Sequence, residues 1–346
     1  MPVRKLIVLS PRRTGKRSHM VSFQERSALV PSVESRLPVL LVGHGTRDDS
    51  GRQALIDLAT AYQKLDTTRP VVPCFLELTG PTILEGIEQC IQQGHTELVV
   101  LPVLLFAARH NKFDVTAELD RARLKYPQLH FHYGRHFGIR PEVIELLHDR
   151  LQTAEQGDTS GIGRSETVVL LVGRGASDPD ANGDVYKLAR LLWEGSGYQS
   201  VEVCFIGITH PRLEQGFERA LLLGAKRVIV LPYFLFTGVL VKKIQAAVEL
   251  QCQNHPEITF LGLPEIGLHP LLLTLLQERE REAAQGEVSM NCEMCKFRRA
   301  ALNDSAHDHG HNHGHDHGHG HHHHDHDAPD PYAQLDQYHG RIWNVP

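Results

Sequence analysis

Three residues in the first half of the chain have side chains that can bind a metal ion or move a proton. His44 directly follows a short apolar run, Glu77 follows the next one, and His110 comes in the loop after the third. Two neutral imidazoles and one carboxylate form a ligand set that suits divalent iron, cobalt, nickel or zinc. The same groups accept protons near neutral pH. These residue types therefore predict a metal or acid–base site, if the fold brings them together.

The second half of the chain repeats the first, but without these three side chains. Gly173 and Gly175 lie 130 positions after Gly43 and Gly45, and the match continues through Cys204-Phe205, Pro211, Gly216, Gly224 and Leu231-Pro232. A fixed offset of this kind indicates a duplicated structural unit. Arg174, Gly207 and Leu240 occupy the positions of His44, Glu77 and His110. We therefore expect one site, in the first copy, and little loss of activity when Arg174 is substituted.

Within each copy, short apolar runs alternate with longer segments of helical period. In the first copy we expect strands near residues 39–42, 71–76, 98–105 and 129–133, and helices near residues 50–65, 80–93 and 112–125. Continuous apolar strands separated by helices predict a parallel sheet that is covered on both faces. The expected fold class is α/β, with two tandem copies of a domain that each contain a parallel four-stranded sheet flanked by helices. Open α/β sheets bind ligands at the carboxyl ends of their strands, which is where all three residues fall.

The composition narrows the classes of partner and compartment. The chain has 346 residues, 41% of them hydrophobic, and a formal charge of −5, which gives no reason to expect nucleic acid as a partner. No apolar run approaches the roughly 20 residues that cross a bilayer, so no membrane association is expected. We expect the cysteines of the repeats to be buried thiols of a cytoplasmic protein: Cys74, Cys90, Cys204 and Cys252.

The motifs around the three residues resemble those of the class II tetrapyrrole chelatases, specifically the long, two-domain sirohydrochlorin chelatases. The resemblance lies in Leu-Val-Gly-His44-Gly-Thr-Arg, Phe-Leu-Glu77-Leu-Thr-Gly-Pro and Leu-Phe-Ala-Ala-Arg-His110-Asn-Lys-Phe-Asp, and it covers about residues 38–284. It implies a lyase that inserts a divalent metal into sirohydrochlorin during cobalamin or siroheme biosynthesis, with Co²⁺ or Fe²⁺ as the metal and Ni²⁺ as an alternative.

The resemblance also assigns roles to residues. The metal-contacting positions of the family correspond to His44, Glu77 and His110. The histidines would present the metal or accept pyrrole protons, and Glu77 would add negative charge that favours both tasks. Arg47 and Arg109 stand beside the histidines and are candidates for pairing with substrate carboxylates, although ordinary surface arginines fit as well.

Two motifs follow the second copy. Cys292 and Cys295 have the spacing of half a zinc or iron–sulfur site, or of a redox dithiol. The resemblance implies an iron–sulfur cluster, and because one pair supplies two ligands, a four-cysteine cluster would need other donors or a homodimer. The stretch His307–His326 contains twelve histidines. Such a stretch cannot bury a core and is predicted to be disordered, binding metal ions for storage or delivery, with a merely solubilising tail as the alternative.

These observations predict six segments along the chain. They are a basic irregular extension (1–36), a catalytic repeat (37–154), a linker (155–166), a repeat with a degenerate site (167–284), a Cys-x-x-Cys segment (285–300) and a His-rich tail (301–346). The extension is interpreted as disordered rather than as an organellar transit peptide.

Two other functions stay open. The histidine tract would also suit a non-catalytic metal-storage or metal-delivery protein, which leaves the duplication and the convergent triad unexplained. The Gly43-His44-Gly45 motif would suit a histidine-dependent phosphatase, which predicts an arginine-rich phosphate pocket. The sequence does not decide between cobalt, iron and nickel.

Overall fold

The two copies have the same order of elements. The computed structural model describes residues 37–108 and 110–288, without the side chain of His110. The first copy contains β1 (Val39–Gly43), α1 (Asp49–Gln63), β2 (Val71–Phe75), α2 (Ile83–Gln92), β3 (Glu97–Pro102), a π-helical turn (His110–Asp114), α3 (Val115–Lys125), β4 (His130–Tyr133) and α4 (Pro141–Gly157). The second contains β5 (Thr167–Gly173), α5 (Pro179–Trp193), β6 (Ser200–Phe205), α6 (Leu213–Leu222), β7 (Arg227–Pro232), α7 (Val239–Asn254), β8 (Thr259–Gly262) and α8 (Pro270–Ala284).

Each copy forms one parallel four-stranded sheet. The strand orders are β2-β1-β3-β4 and β6-β5-β7-β8. Val39 of β1 pairs with Val71 and Val99, and the central strand of the second sheet has neighbours on both sides in the same way. A central parallel strand covered on both faces excludes water from every side chain, which explains the uninterrupted apolar runs. The predicted fold class is confirmed.

The core is continuous between the copies. Side chains alternate along β1, so that Val39 and Leu41 face one layer while Leu40 and Val42 face the other. The layer with Val39 and Leu41 also contains Leu171 of the second copy, whereas the other layer lies within the first copy. The two sheets therefore bury apolar surface against a common layer.

The last helix of each copy packs against the other copy. Helix α8 ends the second copy but packs on β3 and β4 of the first sheet and on α1, and α4 packs on α8 and α5. Two arginines 129 positions apart mark this exchange. Arg279 on α8 donates to the carbonyls of His136 (3.0 Å) and Phe137 (2.7 Å), while Arg150 on α4 donates to those of Pro264 (2.9 Å) and Ile266 (2.8 Å).

Buried charges fix the position of α8. The Arg279 side chain is 2% exposed and donates to Glu282 at 2.7 Å, and Arg135 of the first copy donates to the same carboxylate at 3.1 Å. The Glu280 carboxylate accepts bonds of 2.5 Å from Tyr62 and Arg69. Burial raises the pKa of Glu280 despite the neighbouring guanidinium. Displacement of α8 would leave desolvated charges without partners, which is costly.

Several local expectations were wrong. Gly80-Pro81 does not open α2, because Thr82 caps that helix in a capping box with Glu85 and the Pro81 carbonyl accepts from Phe75 at 2.8 Å. The expected strand 98–105 ends at Pro102. Helix α4 was not recognised and extends into the expected linker, where Glu155 pairs with Arg164 at 2.7 Å.

Three of the four cysteines that were expected to be buried are buried. Cys74, Cys90 and Cys204 are buried free thiols as expected, but Cys252 is exposed on α7. Its expected burial was wrong because Cys252 lies in the last turn of α7, beyond Val248, the last buried residue of that helix. Among the helices of the described ranges, none has the length and apolar character that crossing a membrane requires.

We predict that Arg279→Met lowers the free energy of unfolding by about 3–5 kcal/mol, because Glu282 would stay buried without its main partner. The matched change Arg150→Met should cost about 1–2 kcal/mol, since Arg150 is partly exposed and bonds only to carbonyls. Urea unfolding followed by circular dichroism measures both. Equal losses would contradict the inference that the buried charges of α8 stabilise the fold more than the carbonyl contacts of α4 do.

Candidate functional site

His44 and Glu77 meet at the carboxyl edge of the first sheet. The Nε2 atom of His44 lies 3.5 Å from Oε1 of Glu77, and Nδ1 lies 3.2 Å from the Gly45 carbonyl oxygen. A carbonyl only accepts hydrogen bonds, so Nδ1 carries a proton in this contact, and Nε2 is the ring nitrogen that faces Glu77. Two ligand atoms of one tetrahedral ion, with bonds of about 2.1 Å, are about 3.4 Å apart. The pair therefore has the separation that a shared metal ion requires.

Gly45 allows the loops after β1 and β2 to approach each other closely. Gly45 has φ +101°, and a Cβ atom there would lie 1.7 Å from the carbonyl oxygen of Glu77. The loops are also joined by a hydrogen bond of 3.1 Å from the Glu77 amide to the His44 carbonyl. Only glycine combines this dihedral angle with this contact. The Gly-His-Gly motif thus holds the imidazole next to the carboxylate.

His110 is the first residue of the π-helical turn His110–Asp114. The structure describes its backbone but not its side chain, and Arg109 lies outside the described residues. Ala108 and Asn111, on either side of this pair, line the same cleft as His44. The sequence prediction that the loop after β3 comes to the same edge is consistent with this position.

The cleft lies between the two copies and has a volume of about 530 Å³. This is within the range of small-molecule sites, which are mostly apolar with a few polar groups. Its walls come from the loops after β1, β2 and β3 and, in the second copy, from the loops after β5 and β7. They include His44, Arg47, Leu105, Phe106, Arg174, Tyr233, Phe236 and Leu240. The sequence placed the site in the first copy alone. The second copy, however, supplies the opposite wall.

Arg174 is the site residue that sequence reasoning missed. It occupies the position of His44 in the second copy, lines the cleft and lies close enough to Glu77 to interact with its charge. Desolvation by the cleft walls lowers the pKa of its guanidinium, and Glu77 opposes that shift. The 130-residue offset pointed to this position, but because Arg174 has no metal-binding side chain, the sequence did not predict it as a site residue.

The remaining predicted residues fall in two groups. Arg47 is exposed and lines the cleft. Cys292, Cys295 and His307–His326 lie outside the described residues. Among the side chains that the structure describes, which do not include that of His110, no three His, Cys, Asp or Glu residues are grouped to hold a metal ion.

The fold and the site define a class of protein: a duplicated α/β protein with a His–Glu pair at one sheet edge, whose histidine lines a cleft between the copies. The chain belongs to the CbiX family, whose model matches residues 38–154 and 168–283, one match for each copy.

Relatives and solved structures support this membership. The chain is 45% identical to a sirohydrochlorin cobaltochelatase of Priestia megaterium, over 78% of this chain and 87% of the relative. It is 36% identical to a sirohydrochlorin ferrochelatase of the same organism, over 72% and 92%. The structure of SirB from Bacillus subtilis with Fe³⁺ matches with a TM-score of 0.63 at 30% identity, covering 74% of this chain and all of that one.

Proposed function

We propose that this chain is a sirohydrochlorin chelatase that inserts Co²⁺ or Fe²⁺ into the macrocycle. The observation that carries the proposal is the His44–Glu77 pair, 3.5 Å apart, whose histidine lines a largely apolar cleft. The family membership and the names of the relatives support the substrate. The relative that is 45% identical acts on cobalt, which favours Co²⁺ over Fe²⁺.

The proposed reaction exchanges protons for a metal ion. Four metal–nitrogen bonds form in the macrocycle, and two pyrrole protons leave. His44, Glu77 and His110 hold the incoming ion through exchangeable ligands, and each ligand that releases it becomes a base for a pyrrole proton. The apolar walls lie against the faces of the ring, while Arg47, Arg109 and Arg174 attract its carboxylates.

The C-terminal segments have proposed roles outside the reaction. We assign an iron–sulfur cluster to Cys292 and Cys295, shared between two chains of a homodimer, on the strength of the motif alone. The tract His307–His326 would hold Co²⁺, Ni²⁺ or Fe²⁺ before insertion. A cytoplasmic location follows from the proposed need of the thiols for a reducing compartment.

Two rival functions make different predictions. A metal-delivery protein would bind cobalt but leave the absorption spectrum of sirohydrochlorin unchanged. A phosphatase would hydrolyse phosphate esters and ignore the tetrapyrrole. Mixing the protein with sirohydrochlorin and Co²⁺ under anaerobic conditions and recording the visible spectrum separates all three.

We expect His44→Ala and His110→Ala each to lower kcat for insertion by about 100-fold or more, because each removes a metal ligand or proton acceptor. His132→Ala is the matched control. That imidazole pairs with Glu97 on the sheet surface, and its loss should leave kcat unchanged. Full insertion by His44→Ala would refute the proposed site.

Arg174→Ala should raise KM for sirohydrochlorin about tenfold and leave kcat nearly unchanged, because a charge-assisted contact to a carboxylate is lost. The difference should shrink as salt is added, since screening weakens exposed charge pairs. Arg190→Ala, on the surface of α5, is the control. A large loss of kcat would instead place Arg174 in the chemical step.

Deletion of His307–His326 should leave the rate at saturating Co²⁺ unchanged and lower it when free Co²⁺ is scarce. A tethered store raises the local metal concentration without touching the reacting atoms. A variant in which serine replaces the twelve histidines controls for length. A lower rate at saturating metal would show that the tract acts in catalysis or folding.

A further inference from the structure

The segment that begins with His110 differs in backbone from its counterpart in the second copy. Residues His110–Asp114 form a π-helical turn, whereas the equivalent residues, from Leu240 onward, belong to the regular helix α7. A π-helical turn is rare and commonly marks a functional site. Because the two copies otherwise share one fold, specific contacts must stabilise this turn in the first copy.

One contact comes from the same copy. The Asn111 side chain is fully buried, and its Nδ2 atom donates to the Tyr133 hydroxyl at 3.0 Å. That hydroxyl in turn donates to the backbone carbonyl of Asn111, also at 3.0 Å. The tyrosine thus holds both the side chain and the main chain of the residue next to His110. The equivalent positions in the second copy are Val241 and Gly262, which cannot form this pair.

A second contact comes from the opposite copy. The ammonium group of Lys112 lies 2.6 Å from Oδ2 of Asp178, and the two side chains are 25% and 12% exposed. Asp178 also caps α5 through the amide of Asp180.

The second copy provides an equivalent ion pair, but it has no histidine at the position of His110. Lys242, 130 positions after Lys112, pairs with Asp48, which caps α1 as Asp178 caps α5. Both pairs join one copy to the other. Lys112 lies two residues after His110, a proposed metal ligand, whereas Lys242 lies two residues after Leu240, which cannot bind a metal ion. The protein therefore contains its own control for the difference between joining the copies and positioning His110.

We propose that Tyr133 and the Lys112–Asp178 pair are positioning residues for His110, so that the second copy takes part in forming the metal site. The proposal rests on the proposed function, in which His110 binds the metal substrate. Partners that orient a metal ligand from behind typically change metal affinity by about 10–100-fold when they are removed. We assign none of Tyr133, Lys112 and Asp178 a direct contact with the metal or the tetrapyrrole.

The variants are Lys112→Met and Tyr133→Phe, with Lys242→Met and Tyr126→Phe as controls. Tyr126 also donates a hydroxyl hydrogen bond, to Glu88 at 2.9 Å, but at the surface of α3. Each variant of the full chain is titrated with Co²⁺ at free concentrations set by a metal buffer. His44→Ala protein serves as the blank for binding to the His-rich tract, and circular dichroism verifies that each variant is folded.

We expect Lys112→Met and Tyr133→Phe to weaken Co²⁺ binding and to raise KM for Co²⁺ about tenfold, with a smaller change in kcat. The controls should change neither quantity by more than about twofold. In a His110→Ala background, the two variants should have no further effect on Co²⁺ affinity, because a positioning residue acts only through the residue that it positions.

Four results would overturn the proposal. Equal effects of Lys112→Met and Lys242→Met would mean that the ion pairs only join the copies. Full effects of Tyr133→Phe in the His110→Ala background would mean that it acts on something other than His110. Normal Co²⁺ binding and insertion by His110→Ala itself would remove the ligand assignment in the proposed function, and the positioning role with it. A defect in His110→Ala without one in Lys112→Met and Tyr133→Phe refutes positioning alone.

Discussion

The buried guanidinium of Arg279 connects α8, the final helix of the second copy, to the first copy. It bonds to the carbonyls of His136 and Phe137 and to the Glu282 carboxylate, so that α8 leaves its own copy and packs on β3 and β4. Arg150 makes the equivalent bonds in the other direction. Because the two sheets share a core layer through this exchange, their carboxyl edges are held on opposite sides of one cleft. The geometry of the site depends on this docking, although Arg279 is remote in sequence from every residue that lines the cleft.

Duplication followed by divergence explains the division of labour between the copies. Both copies retain the glycine that lets the first two loops meet, since a Cβ atom at Gly175 would lie 2.1 Å from the Gly207 carbonyl, as Gly45 approaches Glu77. The shared backbone therefore serves the fold. At these equivalent strand ends the backbone is the same in both copies, but the charges of the side chains differ. The first copy places an imidazole and a carboxylate at its strand ends, and the second places a guanidinium there, opposite in sign to Glu77. In the proposed function, the first wall binds the metal ion and the guanidinium of the second wall attracts the carboxylates of the ring.

The sequence predicted the fold and most of the site's first wall because both follow from local patterns. Continuous apolar runs separated by helical segments suffice for two parallel sheets, and parallel strands must end at one edge. Glu77 and His44 could therefore be brought together without coordinates. The start of α2 was predicted two residues early because the Thr82 cap, not the preceding proline, begins the helix. Helix α4 was not predicted, since its C-terminal end near Glu155 has the polar composition of a linker.

What the sequence alone determined was the class of elements, their order, the duplication and the residue types available for chemistry. Tertiary structure decided which copy each terminal helix packs on and that the cleft has two walls. It also decided that Arg174 lines the same cleft as His44 and that Lys112 reaches Asp178. The physical reason is that sequence periodicity reports whether a side chain is buried but not against which surface. In a duplicated chain both sheets offer equivalent apolar faces to α8, and the choice is made by a few buried charges and carbonyls that meet only in the folded molecule.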